Sequence, residues 1–169
     1  MAKEIIRRII ELVVQAQELA RSIGIGNLLQ PGLVKEMIIA DILGHKLISS
    51  KRDADACDPN DASILYEYLS CKEGGAGQLD RMFKAPSAKR TESLARIKRN
   101  RKVYFAVFYK DDQIKLKTIY ELEPSVVLSE TERQLDRSRN DISHVGFPIT
   151  WAIQHGKLIY EVLRGVSWL

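Results

Sequence analysis

The sequence has 169 residues, 45% of them hydrophobic and 28% charged, a balance that suits one globular domain and leaves no room for two full ones. Its 26 Lys and Arg against 22 Asp and Glu give a net charge of +4, too mild an excess to specify a partner by itself. Two cysteines, Cys57 and Cys71, exclude a disulfide scaffold and a four-cysteine zinc site, and His45, His144 and His155 leave little for a histidine-rich metal centre. No apolar stretch reaches the roughly 18 residues of a membrane span. The N-terminus MAKEIIRRIIELVV mixes charges into its apolar run, unlike a signal peptide, so a soluble cytoplasmic protein is expected.

Residues 3–22 carry the clearest helical pattern. Ile5, Ile6, Ile9, Ile10, Val13, Val14, Gln17 and Ala20 trace one broad face, with charged residues opposite. That face suits core packing or a second copy of the chain. Gly24 and Gly26 end the helix, and Pro31-Gly32 precedes a second one over 33–43, closed by Gly44. There Glu36 shares a face with Leu33, Ala40 and Leu43, where a carboxylate needs a cation, a metal or donors. Residues 46–50 suit a short strand, 51–61 are polar, acidic and turn-rich, and 64–72 (ILYEYLSCK) read as a strand. By period 2, Tyr66, Tyr68, Ser70 and Lys72 share one face of it, and Leu65, Glu67, Leu69 and Cys71 the other.

A glycine-rich turn, EGGAG (73–77), leads into the most basic stretch. Between Arg81 and Lys102 stand nine basic residues and one acid, Glu92, so these 22 positions carry +8. Such concentration is the footprint of a phosphate-binding surface, with a solvated basic helix as the plainer reading. Residues 103–110 (VYFAVFYK) suit a strand buried on both faces, and 113–122 a partner in an antiparallel hairpin. Pro124 opens a helix to about Leu135, 136–147 read as loop, and a short helix (150–156) and a strand-like LIYEVL finish the chain. No repeat or linker divides it.

An aspartate near one strand-like segment followed by a strand ending in lysine suits phosphodiester cleavage. Here these are Asp55 and Lys72, with Ser70 two residues before the lysine. Carboxylates hold a hard divalent cation, the cation stabilises charge on the scissile phosphate, and a lysine can orient the attacking water. Glu36 is a candidate second carboxylate; Asp80, after the glycine turn, is another, and Glu67 ranks last because it faces away from Ser70 and Lys72. Asp53 and Asp58 are alternatives to Asp55.

Several segments in order resemble the PvuII-like type II restriction endonucleases of the PD-(D/E)XK nuclease superfamily: IIELVVQAQELARSIGIGNLLQ (9–30), DACD (55–58), YEYLSCK (66–72), YFAVFYK with KTIYELEP (104–124), and DIS with FPITWAIQHGKLIY (141–160). The last nine residues extend past the resemblance. It implies a restriction-endonuclease-like α/β (α+β) fold, a central mixed sheet flanked by helices, in one nuclease domain. Residues 1–30 would be a dimerisation element, 33–160 the catalytic and DNA-recognition core, and 161–169 a C-terminal extension. Carried over by position, Asp55 matches the metal-binding aspartate and Lys72 the active-site lysine, while Ser70 stands where the family has Glu or Asp.

The resemblance implies catalytic Asp55 and Lys72 with Mg²⁺ (Mn²⁺ as a substitute); the residues add Ser70 as support and Glu36 as second acid, so that Asp55, Glu36 and the Cys71 carbonyl, or Asp80 as alternative ligand, would hold the metal. Base-reading loops map to Lys89-Arg90 and Ser143-His144, with Gln78, Arg81 and Lys84 as further DNA contacts. The resemblance also implies a homodimer acting on double-stranded DNA at a short palindromic site, 5′-phosphate and 3′-hydroxyl ends, and a cognate DNA methyltransferase; the lack of a long apolar stretch leads to the expectation of no membrane partner. A catalytically dead DNA-binding protein on the same fold and a repair or recombination nuclease are the alternatives.

Overall fold

The structure is a computed structural model describing residues 1–48 and 54–162. Asp53, the end of the 46–50 segment and most of the C-terminal extension lie outside these. The chain divides into two compact units, Met1–Val34 and Lys35–Leu169.

The first unit is built on α1 (Ala2–Ser22), the amphipathic helix expected from the 3.6-residue pattern. Its end is a Schellman motif: Gly24 N–H donates to the Arg21 carbonyl at 3.0 Å and Ile25 N–H to the Ala20 carbonyl at 2.9 Å. Gly24 takes a φ of +85°, which a residue without Cβ adopts freely. Gln17 staples the following turn, accepting from Leu28 N–H at 2.9 Å and donating to the Gly26 carbonyl at 3.2 Å. Only Ala20 of this helix is buried. Ile5, Ile6, Ile9 and Ile10 are each more than half exposed, so the apolar face is not core.

The second unit is organised by a six-stranded sheet in the order β1-β2-β3-β5-β6-β8. These strands are β1 (Lys46–Leu47), β2 (Ala56–Cys57), β3 (Leu65–Lys72), β5 (Asn100–Phe108), β6 (Leu116–Leu122) and β8 (Lys157–Glu161). β3 and β5 are parallel and every other neighbouring pair is antiparallel. A separate antiparallel ribbon pairs β4 (Ala76–Phe83) with β7 (Ile142–Pro148). The helices are α2 (Leu33–Leu43), α3 (Ser87–Lys98), α4 (Pro124–Arg137) and α5 (Ile149–His155). The chain runs from β3 through β4 and α3 back to β5, the crossover that a parallel pair requires.

Strand alternation sorts the core into two layers. Leu69, Cys71, Val103, Phe105 and Val107 face one side, where they meet Leu94 and Ile97 of α3, Val127 and Leu135 of α4, and Leu79, Met82, Val145 and Phe147 of the ribbon. Tyr66, Tyr68, Tyr104, Ala106 and Phe108 face the other, against Ile39 and Ala40 of α2. Covering both faces explains the continuous apolar run of β5, and each large side chain buried here contributes about 1.5–3 kcal/mol. The ribbon crosses the sheet closely at Gly77, where a Cβ would stand 2.8 Å from the Phe105 ring.

Residues 136–147, expected as loop, contain most of β7, and the expected glycine turn and basic stretch contain β4. Both strands have one exposed face and few inward apolar residues, so they show no clear alternation. In β4 a bulge at Arg81 breaks the period as well: the register moves between Leu79 and Met82, and Arg81 has a φ of +52°.

Candidate active site and exposed ribbon

The turn between β2 and β3 sets the site. Asp58 accepts through Oδ1 from the N–H groups of Asn60, at 2.8 Å, and Asp61, at 3.1 Å. Asp58 N–H in turn donates to the Ile64 carbonyl at 2.9 Å. The hairpin is therefore centred on Asp61, with Cys57 opposite Leu65 and Ala56 opposite Tyr66. One step further along the same register, Asp55 falls opposite Glu67. Opposed residues of an antiparallel pair project to one face with Cβ atoms about 4.5–5.5 Å apart.

Backbone bonds fix Asp55 in place. Its N–H donates to the Tyr66 carbonyl at 3.1 Å, its carbonyl accepts from Ile48 N–H at 2.9 Å, and its Oδ2 accepts from Tyr68 N–H at 2.7 Å. Burial pushes the Asp55 carboxyl up to about 6, against the Tyr68 N–H and the charges of Arg96 and Arg99. Burial first, and then the Asp55 charge, push Glu67 up to about 8; Arg96 and Arg99 oppose this and Glu36 adds to it. The two carboxyls titrate as a pair.

The cations beside the pair come from the end of α3. That helix lies over the same face through Leu94 and Ile97. β5 follows at once, with Asn100 opposite Leu65, so Arg96 and Arg99 stand at the end of β3 that carries Glu67. Arg96 also donates to the Asp80 carbonyl at 3.3 Å.

The structure does not bring Lys72 to Asp55. Lys72 stands exposed at the far end of β3, on the opposite face. It is five residues beyond Glu67, roughly 16 Å along an extended strand. Ser70 shares its face, and Cys71 points into the core. Asp80 does not fold back towards Lys72 either: its Oδ1 lies 2.8 Å from His144 Nδ1. Glu36 acts on Glu67 through its charge, but among the described residues no three His, Cys, Asp or Glu side chains come close enough together to hold a metal ion.

Mg²⁺ is commonly held by one or two carboxylates, its own waters and substrate phosphate oxygens, and two repelling carboxylates on one face are a donor set of that kind. Glu67, the last-ranked acid of the sequence, is the carboxylate that the β2–β3 register sets opposite Asp55. Period 2 sets Glu67 on the face away from Ser70 and Lys72, and the structure keeps it there, on the face of Asp55. Reflecting Asp55 through the hairpin centre at position 61, which the strand register fixes, leads to Glu67.

The ribbon presents a second set of residues. Gly77, Leu79, Val145 and Phe147 face the core, while Gln78, Asp80, Arg81 and His144 are exposed. The basic segment is less open than its count suggests. Lys84 donates to the Ser138 carbonyl at 2.7 Å, Arg90 pairs with Asp136 at 2.8 Å, Lys89 lies over the Phe83 ring at 4.9 Å, and Lys102 pairs with Glu121 and Glu123. Ser143 Oγ is engaged by Ser138 Oγ at 2.6 Å.

A protein-family model described as the restriction endonuclease PvuII matches residues 1–160. The chain belongs to the PvuII restriction endonuclease family. No curated protein matches it. Membership makes the mixed sheet and its flanking helices a restriction-endonuclease-like fold, and the chain a DNA-binding endonuclease of the type II restriction class. Divalent metals are general in such enzymes. No helix among the described residues is long and apolar enough to cross a membrane.

In family terms, an acid two residues before a lysine would place that lysine at Leu69 if Glu67 is the acid. Leu69 is 1% exposed and belongs to the core layer under the ribbon. Among the described residues, Arg96 and Arg99 are the cations whose charge acts on both carboxylates.

Proposed function

We propose that the protein is a homodimeric, Mg²⁺-dependent type II restriction endonuclease that cuts both strands of a short palindromic DNA site. The observation that carries this reading is the opposition of Asp55 and Glu67 across the β2–β3 hairpin. In it, Asp55 and Glu67 hold the cation, which when bound supplies Lewis-acid stabilisation to the scissile phosphate. Arg96 and Arg99 counter the negative charge that builds on the phosphoryl oxygens. The oxygen of a water forms a bond to phosphorus as the P–O3′ bond breaks. Its electron pair leaves with the 3′ oxygen, which takes up a proton, while the water gives one up. The products are a 5′-phosphate and a 3′-hydroxyl.

Two cuts at a palindrome need two sites related by a two-fold axis. The exposed isoleucines of α1 supply an apolar face for that pairing, so residues 1–30 act as the dimerisation element. Ile6→Asp with Ile10→Asp should turn the dimer into a monomer in sedimentation and abolish double-strand cutting. The host then needs a DNA methyltransferase of matching specificity to protect its own sites.

Leu69 favours a second reading, a DNA-binding protein on this fold with little or no cleavage. Digestion of a sequenced plasmid with Mg²⁺, followed by mapping of the ends, separates the two. Defined fragments with 5′-phosphates support the nuclease; sequence-specific binding with intact DNA supports the second.

A further inference from the structure

The register that pairs Leu79 with Val145 and Gln78 with Gly146 sets Asp80 opposite His144 on the exposed face of the ribbon. The contact is direct, 2.8 Å from Asp80 Oδ1 to His144 Nδ1. Both side chains are about two-thirds exposed, so the pair adds little to stability. Its effect is chemical. An ionised carboxylate only accepts hydrogen bonds, so Nδ1 must carry the hydrogen, and in the neutral ring Nε2 is left with its lone pair.

Asp80 is itself held. Arg96 donates to its carbonyl, and the bulge residue Arg81 follows at positive φ. On the other strand, the Gln134 amide brackets Gly146, accepting from its N–H at 3.1 Å and donating to its carbonyl at 2.7 Å. A Cβ on Gly146 would meet nothing within 4 Å, so the face beside His144 is open. A two-stranded ribbon with one polar face fits the major groove, which is about 12 Å wide. A bare carboxylate on that face would repel phosphates; one that accepts from an imidazole has a use there.

We propose that Asp80 is a positioning residue that locks His144 in its Nδ1–H tautomer, so that His144 Nε2 accepts a hydrogen bond from the exocyclic amino group of adenine or cytosine in the major groove. The inference rests on the restriction-endonuclease reading and names a specificity determinant for it. Guanine N7 and O6 and thymine O4 offer only acceptors at that position and are refused.

The first test needs no DNA. Long-range ¹H–¹⁵N spectra of the full chain should show His144 protonated at Nδ1 and bare at Nε2, and Asp80→Asn, whose amide can donate to Nδ1, should move the hydrogen to Nε2. A wild-type Nε2–H tautomer overturns the proposal. The second test selects binding sites from a duplex library with a randomised core, in Ca²⁺ to block cleavage. Wild type should require A or C at one position of each half-site. His144→Ala should lose that requirement alone, and Asp80→Asn should shift it towards G or T. On the selected duplex, replacing the contacted base by purine or 2-pyrimidinone, which lack the amino group, should weaken wild-type binding about tenfold to a hundredfold and leave His144→Ala unaffected. Selection that is unchanged in Asp80→Asn overturns the inference while leaving the nuclease reading intact. A wild type that selects no sequence overturns the nuclease reading itself.

Discussion

The carboxylate pair and the ribbon are both polar, but they are held by opposite means. Asp55 is locked by three backbone hydrogen bonds at the edge of a dense core, so its charge and that of Glu67 act in a poorly solvated space. Asp80 and His144 stand in water on a two-stranded ribbon whose inner face alone is packed. Where the dielectric is low, a second charge changes proton affinity; where it is high, the same contact mainly fixes orientation. In the first region the contact sets proton affinity, and in the second it sets the direction in which atoms are presented.

The largest test removes one carboxylate. Asp55→Asn or Glu67→Gln should lower single-turnover cleavage at least about a hundredfold, in the range of other electrostatic active-site groups, whereas Lys72→Ala should stay within about tenfold of wild type. Equal losses in all three would return Lys72 to the site and break the contrast drawn here. Next, Arg96→Gln and Arg99→Gln should each slow cleavage about tenfold, and conservative replacement by lysine should restore most of the rate.

A third test concerns stability of the metal-free protein. Burial raises both carboxyl pKa values above those of the unfolded chain, and the Asp55 charge adds to the rise at Glu67. Between about pH 4, the unfolded value, and pH 8 the native state therefore holds more protons than the unfolded one. Stability from this pair consequently falls as pH rises. Glu67→Gln should raise the melting temperature at pH 8 by a few degrees, about 2–4 °C for each kcal/mol relieved, and by less at pH 5. A mutant that melts below wild type at pH 8 would show that the repulsion is not felt. The smallest effect separates cations with internal partners from an open one: Arg81→Ala should reduce the slope of log K against log salt by roughly one, and Lys84→Ala or Arg90→Ala by less.

Much of the architecture was legible where a face is buried over many residues. α1, β3, the β5–β6 hairpin and α4 repeat their apolar positions often enough to be read from periodicity. β4 and β7 were not, because only Leu79, Met82, Val145 and Phe147 point inward and Arg81 interrupts the count. The opposition of Asp55 and Glu67 was not legible, because it depends on the register of the β2–β3 hairpin. The partners of Lys84, Arg90 and Lys102 lie 19 to 54 positions away in sequence, so charge counting could not find them.

Leu69 has a consequence for the history open to this chain. Its Cβ lies where the ribbon crosses the sheet, 3.1 Å from a Cβ built on Gly77. An ammonium group at this position would lose its hydration beneath the ribbon, at roughly several kcal/mol unless paired. A single codon change to lysine would therefore yield a destabilised protein before it could yield a better nuclease. A strand lysine here requires the ribbon crossing to loosen first, whereas changes at the exposed Arg96 and Arg99, at the C-terminal end of α3, remain accessible one residue at a time.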